Sequence, residues 1–203
     1  MHIPDGFLDT KTLLITNVFS LAWLALAVKK VNQHFTAYKI PLMGVLASFV
    51  FTAQLLAFPV IGGTSAHITG AVLLAVILGP YSGLVIMATI LLLQALLFQH
   101  GGIITFGANL LNLGIVGVLA GYAIYSIRKS FYTAAIAALI TVEVGAICGA
   151  LELAFSGRLP LKAALISMGS ANFIAGIIEA FVTFAILQVI QKVRPDLLKL
   201  ETI

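Results

Sequence analysis

At 203 residues, 61% of them hydrophobic and only 9% charged, the chain lies far from a soluble domain, which carries about 25% charged residues. Its mean hydropathy of +1.14 indicates an integral membrane protein built of helices and sets aside soluble enzymes. The formal charge of +4 does not indicate nucleic acid, because the basic residues cluster in the short connections between apolar segments, as membrane topology signals do.

The chain opens Met1-His2-Ile3-Pro4-Asp5-Gly6, with no basic stretch ahead of an apolar one, so no cleavable signal is expected. Residues 1–11 read as an external segment folded into the bundle, with Asp5 shaping a turn that directs the terminus inward. A membrane helix needs about 20 mainly apolar residues. Such segments are predicted over 12–28, 42–61, 81–98, 104–127, 132–155 and 163–190. Between the second and third of these lies 68–78, closed by Gly79-Pro80. At about 11 residues it rises roughly 16 Å, too little to cross alone. It is either a half-helix, whose ends must be covered by protein or water and which often marks a transporter's substrate site, or part of one helix beginning at Thr64. In the second case Thr64 or Ser65 caps the helix. Both place His67 near a helix N-terminus, where the dipole favours the neutral imidazole that can ligate a metal. The chain shows no internal repeat and no linker. The expected fold is all-α: one membrane domain over 1–203 and a single bundle of seven transmembrane helices.

With seven crossings, Lys29, Lys30, Lys39, Arg128, Lys129, Lys192, Arg194 and Lys199 share one side. That side is expected to be the cytoplasm, with the N-terminus outside and the C-terminus inside. Only Lys11, Arg158 and Lys162 fall on the other side. The same parity puts His2, His67 and His100 outside and His34 inside.

A histidine at position two makes a chelate that needs no fold to create it. The α-amino nitrogen, the amide nitrogen of residue two and the imidazole Nδ1 close a five-membered and a six-membered ring on one cation. The amide binds only when deprotonated, and Ni(II) and Cu(II) drive that at neutral pH; both favour planar or tetragonal nitrogen coordination. Three nitrogens leave the plane one short. His67, in Gly62-Gly63-Thr64-Ser65-Ala66-His67, is the candidate fourth. Taken singly, a histidine after the initiator or before a helix is more often an ordinary polar loop residue. The shared outer side is what joins the two.

The motifs MHIPDGFL, GGTSAHITGAVLLAVILGP, QALLF followed by Gly-Gly, and GAN with a further Asn resemble the M components of cobalt and nickel uptake systems, CbiM and NikM. These are substrate-binding membrane subunits of energy-coupling-factor transporters, and the resemblance covers nearly the whole chain. It implies seven helices and a metal held by the Met1 amine, the His2 amide and imidazole, and the His67 imidazole. It implies as partners a small membrane N component, a transmembrane coupling T component and ATPase subunits, with the lipid bilayer as surroundings and no nucleic acid. The setting implied is the inner membrane of a prokaryotic cell. The chain ends at Ile203 without the extension of fused relatives, so a separate N subunit is expected unless that part was removed.

Other polar residues carry two readings each. Gln94, Asn109 and Asn112 sit in apolar segments and either bond between helices or orient His67 and the terminal loop; Asn109 and Asn112 are spaced to share a helix face. Thr64 and Ser65 carry the same choice between orientation and capping. His100 is outside and beside a Gly-Gly, and is placed among these outer partners rather than among the ligands. Glu143, Glu152 and Glu179 are intramembrane carboxylates and functional suspects for that reason; Glu152 is expected to pair with Arg158 or Lys162. Ala53-xxx-Ala57 and Gly117-xxx-Gly121 allow close helix contact, for internal packing or, at Ala53/Ala57, for docking the coupling protein. Cys148 has no second cysteine with which to pair.

The leading expectation is a capture subunit for Ni2+, with Co2+ as the alternative, including a cobalt-specific component for cobalamin synthesis. Coordination geometry favours nickel. The chain has no phosphate-binding loop pattern and is not itself expected to be an ATPase. An autonomous secondary transporter would need a coupling-ion path, for which three isolated glutamates are a thin basis. An intramembrane metalloenzyme would need a His-Glu-xx-His type of cluster beside an open coordination position, and none occurs.

Overall fold

The computed structural model describes residues 2–33, 40–56, 58–60 and 64–199. Among these residues seven helices follow in chain order: α1 Thr10–Gln33, α2 Ile40–Leu55, α3 Ala71–Leu78, α4 Pro80–Phe98, α5 Phe106–Ser126, α6 Phe131–Phe155 and α7 Leu161–Val193. A short 3-10 turn, Pro195–Lys199, ends the described chain. Five of the helices, α1 and α4 to α7, are long and apolar enough to cross a membrane; α2, at 16 residues, is apolar but shorter. Large apolar side chains such as Val18, Leu97, Ile136, Ile166 and Phe181 are exposed on their outer faces, as a lipid-facing surface requires.

The predicted second helix over 42–61 ends early. Helix α2 stops at Leu55, and Phe58–Val60 (β1) turns back antiparallel on Thr64–Ala66 (β2), pairing Phe58 with Ala66 and Val60 with Thr64. Pro59 is the reason. It has no N–H to give a helix and holds the residue before it in the extended region. The hairpin also decides between the two readings of the next segment. Thr64 and Ser65 lie in a strand, and the helix begins only at Ala71. Eight residues rise about 12 Å, so α3 is a half-helix.

All eight residues of α3 are buried, ringed by α4, α5, α6 and α7. Its polar ends are thereby kept from lipid, which is the condition for interrupting a helix at membrane depth. Gly117 and Gly121 of α5 lie against Ala71 and Val72, and a Cβ on either would come within 2.8 Å of those side chains. The small-residue pair therefore serves internal packing. Of the other pair, Ala57 lies outside the described residues. Helices α6 and α7 pack antiparallel, Gly149 meeting Met168 and Gly176 meeting Leu139.

One end of the bundle gathers residues 2–9, the start of α5 and the α6–α7 turn. Helices α1, α5 and α7 all run away from that end, so Lys29, Lys30, Arg128, Lys192 and Arg194 lie at the other. Lys39 and His34 fall outside the described residues.

Candidate metal centre

The N-terminal segment is held inside the end of the bundle by a set of short hydrogen bonds. Ile3 and Leu8 are buried with Ala108. The Ile3 amide donates to Asn109 Oδ1 at 2.7 Å, and Asn109 Nδ2 donates back to the Ile3 carbonyl at 3.0 Å. Thr105 Oγ1 adds a second bond to that carbonyl at 2.6 Å. Asp5 does more than shape a turn. Its carboxylate accepts from the backbone N–H groups of Ile103, Ile104 and Thr105 at 2.9–3.1 Å, capping α5 where free N–H groups and the helix dipole favour an anion. A Cβ at Gly102 would overlap that carboxylate, so the Gly-Gly after His100 leaves room for the terminal segment. Arg158 donates to the Gly6 and Phe7 carbonyls at 2.9 and 3.3 Å. Its expected partner, Glu152, is bonded instead by Asn112 at 2.9 Å.

His67 is fixed from the opposite wall. Two residues after it, the chain meets Glu179 of α7, which is fully buried. The Thr69 and Gly70 amides donate to the Glu179 carboxylate at 2.6 and 2.8 Å, and Thr69 Oγ1 donates at 3.1 Å. Gln54 of α2 donates to the Thr69 carbonyl at 2.6 Å. Gly70 takes φ +67°, and a Cβ there would sit 2.8 Å from Val50, so the turn into α3 requires glycine. Glu179 thus satisfies the Thr69 and Gly70 N–H groups ahead of α3, while Thr69 Oγ1 accepts from the Ala71 N–H at 3.3 Å.

Between these walls three imidazoles meet. His2 Nδ1 lies 3.0 Å from His67 Nε2 and 2.9 Å from His100 Nε2. One nitrogen from each ring lies within 4.8 Å of the others. His67 Nδ1 is 3.1 Å from the Ile68 carbonyl, which can only accept, so Nδ1 carries the proton and Nε2 offers its lone pair. Burial, then the charge of the terminal amine, lowers His67 to a pKa of about 3. Burial and repulsion from His67 lower His2 well below its ordinary value. Burial, then the amine, lowers His100. All three rings are therefore neutral at physiological pH, the form that binds metal.

The other residues singled out in the sequence divide between the cluster and the bundle. Gln94 is wholly buried and borders His2, and neither end of its amide, nor His2 Nε2, has a hydrogen-bond partner among the described residues. Asn109 holds the peptide after His2. Asn112 turns to Glu152 of α6 instead. The backbone from Leu110 to Ala120 winds as a π-helix, whose wider turn takes Asn112 off the face of Asn109. The side chains of Thr64 and Ser65 lie outside the described part of the structure, as does Met1. Glu143 is partly buried, with Oε1 unpartnered among the described residues. Two supports of His67 were not read from the sequence, Gln54 and Thr69. A glutamine inside an otherwise apolar helix was the available signal for the first.

Residues 2–197 match the family described as the cobalt uptake substrate-specific transmembrane region. The fused nickel transport protein NikMN of Rhodobacter capsulatus is 29% identical over 98% of the chain and 64% of its own length. The cobalt transport protein CbiM of Acetoanaerobium sticklandii is 38% identical over 71% of the chain and 64% of its own length. A crystal structure of a truncated transition metal transporter superposes with a TM-score of 0.88 at 32% identity, over 95% of this chain and 99% of that one.

Proposed function

The chain belongs to the family of cobalt and nickel transport membrane components that includes CbiM and NikM, and from that premise we propose that it captures Ni(II) for an energy-coupling-factor importer. The ion is held in a plane of four nitrogens: the Met1 amine, the ionised His2 amide, His2 Nδ1 and His67 Nε2. The observation that carries this reading is the 3.0 Å approach of His2 Nδ1 to His67 Nε2. Two nitrogens bound at about 2.0–2.1 Å and at right angles stand about 2.9 Å apart. Supporting it, the next amide, that of Ile3, is committed to Asn109, while the His2 amide has no acceptor among the described residues. In this reading Gln94, which borders His2, takes the His2 Nε2 proton in a hydrogen bond and so orients the ring, as outer partners of metal-bound histidines do.

His67→Ala tests the assignment. It leaves the terminal chelate intact but opens the plane, and nickel affinity should fall by more than the roughly 10–100-fold that loss of an outer partner costs. Calorimetry showing unchanged affinity removes His67 from the site. Co(II) is the alternative cargo, as it is in the name of the CbiM relative.

In this reading the chain is the metal-binding subunit alone. ATP is hydrolysed by separate ATPase subunits that act through the T component, and a small N component completes the membrane part. The NikMN relative carries M and N in its name as a fused protein. The chain lies in the inner membrane of a prokaryotic cell with the histidine end outside. The basic far end supports that orientation. With Cys148 replaced by alanine, Leu159→Cys should react with an impermeant thiol reagent added outside and Gln33→Cys should not; the reverse pattern would invert the topology.

A further inference from the structure

Away from the imidazoles, helices α1 and α6 both pack along α5 and have little contact with each other. A cleft of about 480 Å3 lies between them. Leu111 of α5 and Leu151 of α6 line it, and the exposed side chains of Ile15 and Phe155 stand at its mouth. At the histidine end of the bundle the Ser156 hydroxyl donates to Asp9 Oδ1 at 3.2 Å and ties the start of α1 to the end of α6. The cleft therefore opens sideways, onto the apolar face that lipid covers. One group in it has no match in such surroundings. Glu152 is only 6% exposed. Asn112 Nδ2 donates to its Oε2 at 2.9 Å, but Oε1 is buried with no partner among the described residues. Neither protonation state cures this: the ionised oxygen lacks a donor, and the protonated one lacks an acceptor. A carboxylate is tolerated at such depth only when it is paired.

We propose that this cleft binds a phospholipid with a primary-ammonium headgroup, of the phosphatidylethanolamine class, drawn from the leaflet at the histidine end. The ammonium donates to Glu152 Oε1, the phosphate meets the exposed Lys11 at the rim, and one acyl chain lies against Ile15, Leu111 and Leu151. Each part is selected by chemistry. Apolar walls that open on the bilayer call for an acyl chain. A buried, half-paired carboxylate calls for a cation with N–H groups to give, and a primary ammonium has three. Such a charge-assisted bond is roughly twice as strong as a neutral one. A choline headgroup carries the same charge but has no N–H, and a glycerol headgroup carries no cation. The volume falls within the range of about 300–1,000 Å3 usual for small-molecule sites, which suits a headgroup and part of one chain rather than a whole lipid. The bound lipid fastens α1, the least buried of the long helices, to α5 and α6. This assignment stands independently of what the imidazoles hold.

Cys148 is the single cysteine of the chain and lines the cleft one helical turn from Glu152, so the rate of its alkylation reports occupancy. The full chain, stripped of lipid in a maltoside detergent, is treated with N-ethylmaleimide in micelles doped with phosphatidylethanolamine, phosphatidylcholine or phosphatidylglycerol of identical acyl chains. Phosphatidylethanolamine should protect Cys148, with half-protection at a concentration at least about tenfold lower than for the other two, the worth of one charge-assisted hydrogen bond. Glu152→Gln, which keeps the shape and removes the charge, should erase that preference. Equal protection by the three headgroups overturns the proposal without any variant. So does a headgroup preference that survives in Glu152→Gln. Protection by none of the phospholipids, but by the remaining subunits of the assembled complex, would give the cleft to a partner helix and overturn it as well.

Discussion

Acetylating the terminal amine is expected to abolish high-affinity nickel binding while every side chain stays in place. The amine is one of four donors in the proposed plane, and it closes the five-membered chelate ring. No side chain can replace it. Inserting one alanine between Met1 and His2 is the complementary change. The imidazole moves to position three, and the terminus then offers an amine, two amides and an imidazole of its own. Such a chain should still bind nickel, but without His67 and in a chelate not shaped to the bundle, so transport by the assembled complex should stop. The pH dependence separates the same alternatives. The imidazoles are already neutral, His67 with a pKa of about 3, so they release no protons to the metal above about pH 6.5. The amine and the amide do, so nickel affinity should rise with pH. A flat profile over pH 6.5–8.5, or tight binding by an acetylated chain, would mean that the terminus is not a ligand.

Glu179→Gln should weaken nickel binding although its carboxylate bonds the Thr69–Gly70 turn rather than an imidazole. The carboxylate takes the Thr69 and Gly70 amides on separate oxygens. A glutamine keeps one acceptor and turns an NH2 group toward the second amide. A buried N–H left unpaired costs about 1–3 kcal/mol, and relief comes by moving the turn that carries His67. The expected loss is of the order of 10–100-fold in affinity, as for an outer partner of a metal ligand. Glu179→Ala leaves both amides unpaired and should also lower the thermal unfolding midpoint. Nickel affinity in Glu179→Gln equal to that of the unaltered chain would show that the loop holds its shape without α7. The position matters because it ties the His67 loop to the last helix, the longest in the bundle at 33 residues.

Much of this protein can be read from its residues because membrane insertion is governed by composition and segment length. The apolar runs place six of the seven helices to within a few residues, and Gly79-Pro80 marks the break after α3. His2 is legible for a different reason. A terminal amine, an amide and an imidazole are covalently adjacent, so their chelating geometry owes nothing to folding. His67 follows from loop parity and from family resemblance. The hairpin after α2 was also within reach, since Pro59 rules out a helix interior there, but the length of the apolar run outweighed it. What depended on tertiary structure is contact between residues distant in the chain. Asp5 lies about a hundred positions from the N–H groups it caps, and Glu179 more than a hundred from Thr69. No periodicity records such pairings. Nor could spacing show that Asn112 would turn to Glu152, because the π-helix that redirects it is a backbone choice made by packing. His100 is the sharpest case. In sequence it is a histidine before two glycines. Only the folded terminal segment, admitted by Gly102 and anchored by Asn109, brings His2 to it, and burial then keeps all three rings neutral.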